Sequence, residues 1–265
     1  MRRRPCSTTK TFVALVSATK PWLSSIKASS APAVFASIFA RIDWIRLLWW
    51  IFGSRQSGGK RLTLTRGVKT TSGMDPRLNT QGPTLIVLAE HKAPVYSKSG
   101  LSLITSSVRR FPPDCLDPKI HHNNLIQSIL AKIEANVAGA DDAVMLDTRG
   151  FIAETNATHV FLVESGRIRT PRLVACPEGI TRATVLELCR AHDIAHEETD
   201  LTLTQAYCAD EMFCTGTMGE LAAVTKMDGR TIGSGEPGPM TVRLSVLFRE
   251  LTAREGTVVA EKPAG

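Results

Sequence analysis

The chain has 265 residues, of which 43% are hydrophobic and 22% are charged, and its formal net charge is +7. This composition is typical of a globular protein with one large or two modest domains. Residues 1–60 hold ten basic residues and one acid, a charge of +9, whereas the remaining 205 residues hold 22 basic and 24 acidic ones, a charge of −2. The body of the chain therefore lacks the charge of a nucleic-acid-binding or membrane-surface protein.

The first sixty residues are rich in Ser, Ala and Arg and contain all four tryptophans. A transit peptide fits this composition, and a secretory signal fits poorly because the apolar run FVALV is short. A membrane span at 31–53 would bury Arg41, Asp43 and Arg46, which is costly, so none is expected. An aberrant, non-native start of the coding sequence is a further alternative. The expected location is cytoplasmic, or organellar if this segment is a transit peptide.

The next part of the chain predicts three strands and a linker. The strands RLTLTRG, TLIVLAEH and LSLITSS cover residues 61–67, 84–91 and 101–107, with turn-rich sequence between them. The Pro-rich segment 111–118 reads as an interdomain linker. We therefore expect residues 61–110 to be the remainder of a small domain.

Residues 119–255 predict a larger domain, followed by a tail at 256–265. A helix from about residue 124 carries an apolar face with helical spacing, formed by Leu125, Ile129, Ile133 and Val137. Short strands then follow at AVMLD, FIAE, HVFLVES and RIRT. This mixture of strands and helices predicts a two-domain α/β or α+β chain.

The end of this domain contains a further helix, a strand, a hairpin and a last helix. GITRATVLELCRAH predicts a helix with Thr181 as its N-cap, and EMFCTGT predicts a strand that ends at glycine. Asp228-Gly229 lies at the turn of the predicted hairpin. The last helix carries an apolar face formed by Leu244, Leu247, Phe248 and Leu251.

Four motifs occur in a fixed order along this domain: Lys119 before the first helix, Glu154 on a strand, GITR at 179–182, and TGT at 215–217. This order resembles the fold-type IV pyridoxal-phosphate enzymes, which include branched-chain aminotransferases, D-amino acid aminotransferases and aminodeoxychorismate lyases. The likeness is greatest to branched-chain aminotransferases and covers about residues 61–255. It implies the two-domain fold-type IV architecture.

The resemblance also implies a role for each residue. Lys119 would form an imine with the aldehyde of pyridoxal 5′-phosphate and move the Cα proton of the substrate. Glu154 would keep the pyridine nitrogen protonated. The phosphate would be bound by the helix start at Ile180 and Thr181 and by Gly216 and Thr217.

Two residues are candidates for substrate binding. Arg66 matches an arginine that contacts the substrate carboxylate in D-amino acid enzymes, and a guanidinium group suits a carboxylate. Met218 follows the Gly-Thr motif directly. No metal site is expected, because the adjacent His121 and His122 would point to opposite sides of an extended segment.

The chain departs from the family pattern in several places. His159 stands where the family usually has asparagine, and Asn124 where many members have a tyrosine near the cofactor oxygen. The front of the small domain, with its phosphate-binding arginine, is not recognisable in residues 1–60, so we expect an incomplete small domain.

The predicted function is transamination of amino acids, most of all branched-chain L-amino acids with 2-oxoglutarate as acceptor, by a homodimer. The alternatives are a D-amino acid aminotransferase, an aminodeoxychorismate lyase-like enzyme, or an inactive, truncated remnant.

Overall fold

A computed structural model of the protein describes residues 12–17, 58–91, 96 and 99–255. The chain divides into two compact units, one ending at Ala93 and one spanning Pro94–Gly256. The membrane-span candidate at 31–53 lies outside the described residues. No helix within the described ranges is long and apolar enough to cross a membrane.

The first unit contains a three-stranded antiparallel sheet. Its strands are β1 (Phe12–Ser17), β2 (Gly58–Thr65) and β3 (Thr84–His91), and β3 lies between the other two. The apolar run FVALV therefore pairs with β3 as a strand, with Leu15 opposite Ile86. The strands predicted at 61–67 and 84–91 are confirmed.

The second unit contains a nine-stranded mixed sheet. In chain order its strands are β4 (Leu101–Thr105), β5 (Asp142–Leu146), β6 (Ile152–Thr155), β7 (His159–Glu164), β8 (Arg167–Pro171), β9 (His196–Thr199), β10 (Glu211–Gly216), β11 (Glu220–Met227) and β12 (Arg230–Thr231). The strand order is β6-β5-β4-β11-β10-β7-β8-β9, and β12 pairs with β11. The pairs β4–β5, β4–β11 and β8–β9 are parallel and the others are antiparallel.

Five helices accompany this sheet in the described part of the unit: α1 (Pro113–Leu116), α2 (Ile126–Val137), α3 (Ile180–Ala191), α4 (Leu203–Cys208) and α5 (Pro239–Arg254). Alternate residues of β7 and β10 enter two different cores, as the period of a strand requires. Phe161 and Phe213 stack at 4.9 Å and belong to the core with α3 and α5. Leu162 and Met212 belong to the core with α4. The central strands are thus buried on both faces.

The division between the units differs from the predicted one. Strand β4 pairs with both β11 and β5, so residues 101–105 belong to the large sheet rather than to a small domain. The predicted linker at 111–118 lies inside the second unit and contains α1. The physical reason is long-range parallel pairing, which local sequence does not reveal.

The predicted hairpin at Asp228-Gly229 is confirmed. Met227 pairs with Arg230 across a two-residue turn, and both turn residues have positive φ, 50° at Asp228 and 75° at Gly229. These angles match the turn type that favours hairpins. The Asp228 carboxylate also accepts hydrogen bonds from Thr105 and Tyr207, which attaches the hairpin to β4 and α4.

Candidate active site

Glu154 lies at the centre of the candidate site, on β6, and only 3% of its surface is exposed. Its carboxylate forms an ion pair with Arg110, which is itself 8% exposed. Burial raises the pKa of the Glu154 carboxyl to about 7, although the Arg110 guanidinium opposes this rise. The site therefore holds a buried carboxyl group whose protonated form is more favoured than that of an exposed glutamate.

Arg110 connects Glu154 to two other parts of the unit. Its Nη1 donates to Ser128 Oγ at 2.9 Å, in the first turn of α2, and its Nε donates to the Ala175 carbonyl at 3.2 Å. Sequence reasoning missed Arg110. The only local signal was the pair of arginines after β4, and nothing there indicated that one of them is buried.

The segment 172–179, named here the pre-α3 loop, provides two backbone carbonyl groups that accept hydrogen bonds from the buried side chains of Arg110 and His159. Ala175 accepts from Arg110, and Pro177 accepts from the ring of His159, whose Nε2 lies 2.8 Å from the carbonyl oxygen. Burial lowers the pKa of His159, and the nearby charges of Arg182 and Arg110 lower it further. These effects favour the neutral form of the ring, although the hydrogen bond to Pro177 opposes them.

The start of α3 differs from the prediction in one respect. The N-cap is Gly179, with φ of 67° and no side-chain hydrogen bond, and Thr181 is buried inside the first turn rather than at the cap. A threonine at that position cannot reach the free N–H groups of its own turn as an N-cap does. Ile180 is exposed. The helix thus begins with N–H groups that no side chain caps, an arrangement suited to an anion.

The end of β10 lies beside this helix start. Thr215 pairs with His159 across the two strands, and the His159 ring contacts Gly179. Paired residues share a face of the sheet, so the Thr215 side chain lies on the same side as that ring. Thr215 Oγ1 is buried and has no hydrogen-bond partner among the described residues. A buried hydroxyl without a partner is costly, so this hydroxyl has hydrogen-bonding capacity that a ligand could use.

Gly216, Thr217 and Met218 follow directly. A Cβ at Gly216 would lie 3.0 Å from the Thr158 methyl group, so the backbone approaches β7 closely here. Thr217 and Met218 are exposed. The structure thus brings Ile180, Thr181 and the strand end that carries Gly216 and Thr217 to one region.

Lys119 lies on an exposed part of the segment between α1 and α2. Its amide donates to Asp117 Oδ1 at 3.0 Å, and its ammonium group has no hydrogen bond or ion pair with the described residues. The segment leads into the first turn of α2, where Gln127 accepts from the Phe111 amide and Ser128 accepts from Arg110. The side chains of Lys119 and Glu154 do not contact each other. They are connected indirectly: Lys119 precedes α2, Ser128 in the first turn of α2 accepts a hydrogen bond from Arg110, and Arg110 pairs with Glu154.

The other predicted residues lie elsewhere. Arg66 is exposed just after β2, in the first unit. His121 is exposed and His122 is half-buried, and the described residues contain no group of three His, Cys, Asp or Glu side chains that could hold a metal ion.

Comparison with known proteins identifies the family of the chain. The family model described as amino-transferase class IV matches residues 46–227. The chain belongs to this family. Its mixed α/β fold is that of solved class IV aminotransferases: it superposes with a TM-score of 0.72 on the T.th. branched-chain amino acid aminotransferase complexed with N-(5′-phosphopyridoxyl)-L-glutamate, at 33% identity, covering 80% of this chain and 70% of that one. The family and fold predicted from sequence are confirmed.

Two relatives of this class IV chain are similar in sequence. Branched-chain-amino-acid aminotransferase-like protein 2 of Arabidopsis thaliana is 52% identical over 200 residues, which are 75% of this chain and 36% of the relative. A putative branched-chain-amino-acid aminotransferase of Methanocaldococcus jannaschii is 38% identical over 203 residues, which are 76% of this chain and 70% of the relative. The chain therefore spans only about a third of the length of the plant relative.

Proposed function

We propose that the protein is a pyridoxal 5′-phosphate-dependent aminotransferase. The observation that carries the proposal is the pairing of a buried carboxyl, Glu154, with an uncapped helix start beside the unpartnered Thr215 hydroxyl. Pyridoxal phosphate has a ring nitrogen that needs an acid group and a phosphate that needs hydrogen-bond donors. The donor set of this region fits both ends of the cofactor.

The roles of the residues follow from that fit. When bound, pyridoxal phosphate supplies an aldehyde that joins amino groups and a ring that withdraws electrons. Glu154 would hold a proton at the ring nitrogen, and its raised pKa brings the carboxyl closer to the basicity of a pyridine. The N–H groups of Ile180 and Thr181, with Gly216 and Thr217, would bind the phosphate.

Lys119 is proposed to hold the aldehyde and to move the Cα proton of the amino acid. Its support is its position: it is exposed, its amine has no partner among the described residues, and its segment leads into the helix turn that contacts Arg110. Once deprotonated, a lysine without an ion-pair partner can form a covalent link to an aldehyde.

The proposed substrates are branched-chain L-amino acids, with 2-oxoglutarate as the amine acceptor. The names of the two relatives support this substrate class. In this chain the exposed Met218 would offer an apolar contact to the substrate side chain.

Covalent mapping of the cofactor tests the proposal. The purified chain, incubated with pyridoxal 5′-phosphate, is expected to develop a visible absorbance band that dialysis does not remove. Borohydride reduction followed by peptide mass spectrometry should then place the pyridoxyl group on the peptide that contains Lys119. L-valine and D-valine, each supplied with 2-oxoglutarate, distinguish the two stereochemical alternatives by glutamate formation.

Each result has a defined meaning. A pyridoxyl group on a different lysine would remove the role proposed for Lys119 and leave the cofactor assignment standing. A chain that develops no band and acquires no label would contradict the enzyme proposal and favour an inactive remnant. Activity with D-valine alone would contradict the L-amino acid assignment.

A homodimer is part of the proposal, and the exposed face of α2 supports it. Seven large apolar side chains of this helix and of the residues before it are exposed in the described chain: Ile120, Leu125, Ile126, Ile129, Leu130, Ile133 and Val137. Apolar surface of this extent normally marks an interface. We propose a second copy of the chain as its occupant, because the enzymes that this sequence resembles act as homodimers.

Ile129→Asp is expected to convert the dimer to a monomer, because a carboxylate at the centre of an apolar interface would lose its hydration without gaining a partner. Sedimentation velocity measures the change. Val246→Asp is the control, since Val246 is 43% exposed on α5 and Ile129 is 52% exposed on α2. A monomeric wild-type protein, or a variant with the wild-type mass, would contradict the interface.

A further inference from the structure

His159 occupies the point where the two proposed phosphate-binding elements meet. It begins β7, pairs with Thr215 at the end of β10, and contacts Gly179 at the start of α3. It is 8% exposed, so its polar atoms must find partners within the protein.

One ring nitrogen of His159 donates a hydrogen bond to the pre-α3 loop. Nε2 lies 2.8 Å from the Pro177 carbonyl oxygen, and because that oxygen can only accept, Nε2 must carry the hydrogen. Pro177 lies two residues before Gly179, so the bond fixes the backbone immediately before the helix begins. The lowered pKa of the ring is consistent with a neutral donor of this kind.

The imidazole ring also contacts the other side of the same turn. A Cβ added at Gly179 would lie 2.3 Å from His159 Cε1, and Gly179 has a positive φ of 67°. Only glycine adopts this conformation without strain and also leaves room for the ring. The ring and the glycine together set the direction in which the first N–H groups of α3 point.

We propose that His159 is a positioning residue that aims the first turn of α3 at the phosphate group of the cofactor. The inference rests on the proposed function. His159 would act through the Pro177 carbonyl and Gly179 rather than by touching the cofactor, and Thr215 beside it would supply a hydroxyl to the same phosphate.

A comparison of two ligands tests this role. Binding of pyridoxal 5′-phosphate and of pyridoxal, which lacks the phosphate, is measured by absorbance titration of the full chain. His159→Phe keeps an aromatic ring and removes the hydrogen bond to Pro177. We expect it to weaken binding of pyridoxal 5′-phosphate about tenfold and to change binding of pyridoxal less than about twofold, because only the phosphate contacts are disturbed.

Two further variants make the test specific. His159→Gln restores a donor for the Pro177 carbonyl and should recover part of the lost affinity for the phosphorylated ligand. His196→Phe is the control, because His196 also contacts a backbone carbonyl, that of Ile194 at 2.9 Å, but lies half-buried on the edge strand β9. It should leave both affinities unchanged.

The outcomes separate this inference from the proposed function. Equal weakening of both ligands in His159→Phe, or no weakening of either, would overturn the positioning role while the wild-type chain still binds the cofactor. A wild-type chain that binds neither ligand would overturn the proposed function itself.

Discussion

Replacing Glu154 by glutamine is expected to reduce kcat for transamination by roughly 10²- to 10³-fold, the scale of losing one preorganised polar contact in an active site. The amide keeps the shape of the side chain, and its oxygen can still accept from Arg110. It cannot hold an exchangeable proton at the ring nitrogen of the cofactor, so the electron-withdrawing power of the ring falls. Steady-state kinetics with saturating amino donor measure the loss.

The same substitution should alter how stability depends on pH. The pKa of Glu154 is raised from 4.5 to about 7 in the folded protein. A raised pKa means that the stability contributed by the protonated carboxyl is complete below pH 4.5 and is lost as pH rises to about 7. Relative to Glu154→Gln, the cofactor-free wild-type protein should therefore lose on the order of 3 kcal/mol of unfolding free energy across this range.

Urea unfolding at several pH values measures this difference. Glu164→Gln is a suitable control, because Glu164 forms a partly exposed ion pair with Arg169 on neighbouring strands and lies outside the proposed site. Its pH dependence should follow that of the wild-type protein. If Glu154→Gln retained both the wild-type kcat and the wild-type pH dependence, the carboxyl would have no place in the chemistry.

The secondary-structure elements that carry the proposed site were predicted correctly where they have a local sequence pattern. GITR precedes an amphipathic helix, and the strand around Glu154 follows a glycine turn, so both were placed within a residue or two. Arg110 was not predicted, because its contact with Glu154 joins residues 44 positions apart. Thr215 was not predicted, because the feature that distinguishes it is a buried hydroxyl without a hydrogen-bond partner among the described residues. Only the three-dimensional structure reveals such a feature.

Some parts of the fold were not predicted from the sequence, for similar reasons. Strand β9 has four residues and is mostly half-buried, so it lacks a clear apolar alternation. Helix α4 was readable in principle, since Thr202 and Gln205 form a capping box at its start. Strand β4 was located correctly but assigned to the wrong unit, because its partner Met227 lies far along the chain.

Arg110→Met is expected to lower the unfolding free energy by about 3–5 kcal/mol, the range found when one partner of a buried ion pair is removed. The substitution leaves Glu154 buried with no cation beside it, and it also removes the donors to Ser128 and to the Ala175 carbonyl. Without the guanidinium, the pKa of Glu154 should rise further, because burial is then unopposed. The carboxyl would stay protonated at neutral pH.

A double-mutant cycle with Glu154→Gln distinguishes the ion pair from general packing. If the cost arises from the isolated buried carboxyl, which must take up a proton to be buried at neutral pH, Arg110→Met combined with Glu154→Gln should be less destabilised than the sum of the single variants, since an amide is neutral without taking up a proton. Arg254→Met is the control: Arg254 pairs with Glu255, both side chains are exposed, and the substitution should cost less than about 1 kcal/mol. Strict additivity of the two substitutions would show that Arg110 and Glu154 are not coupled, and the raised pKa of Glu154 would then be controlled by burial alone.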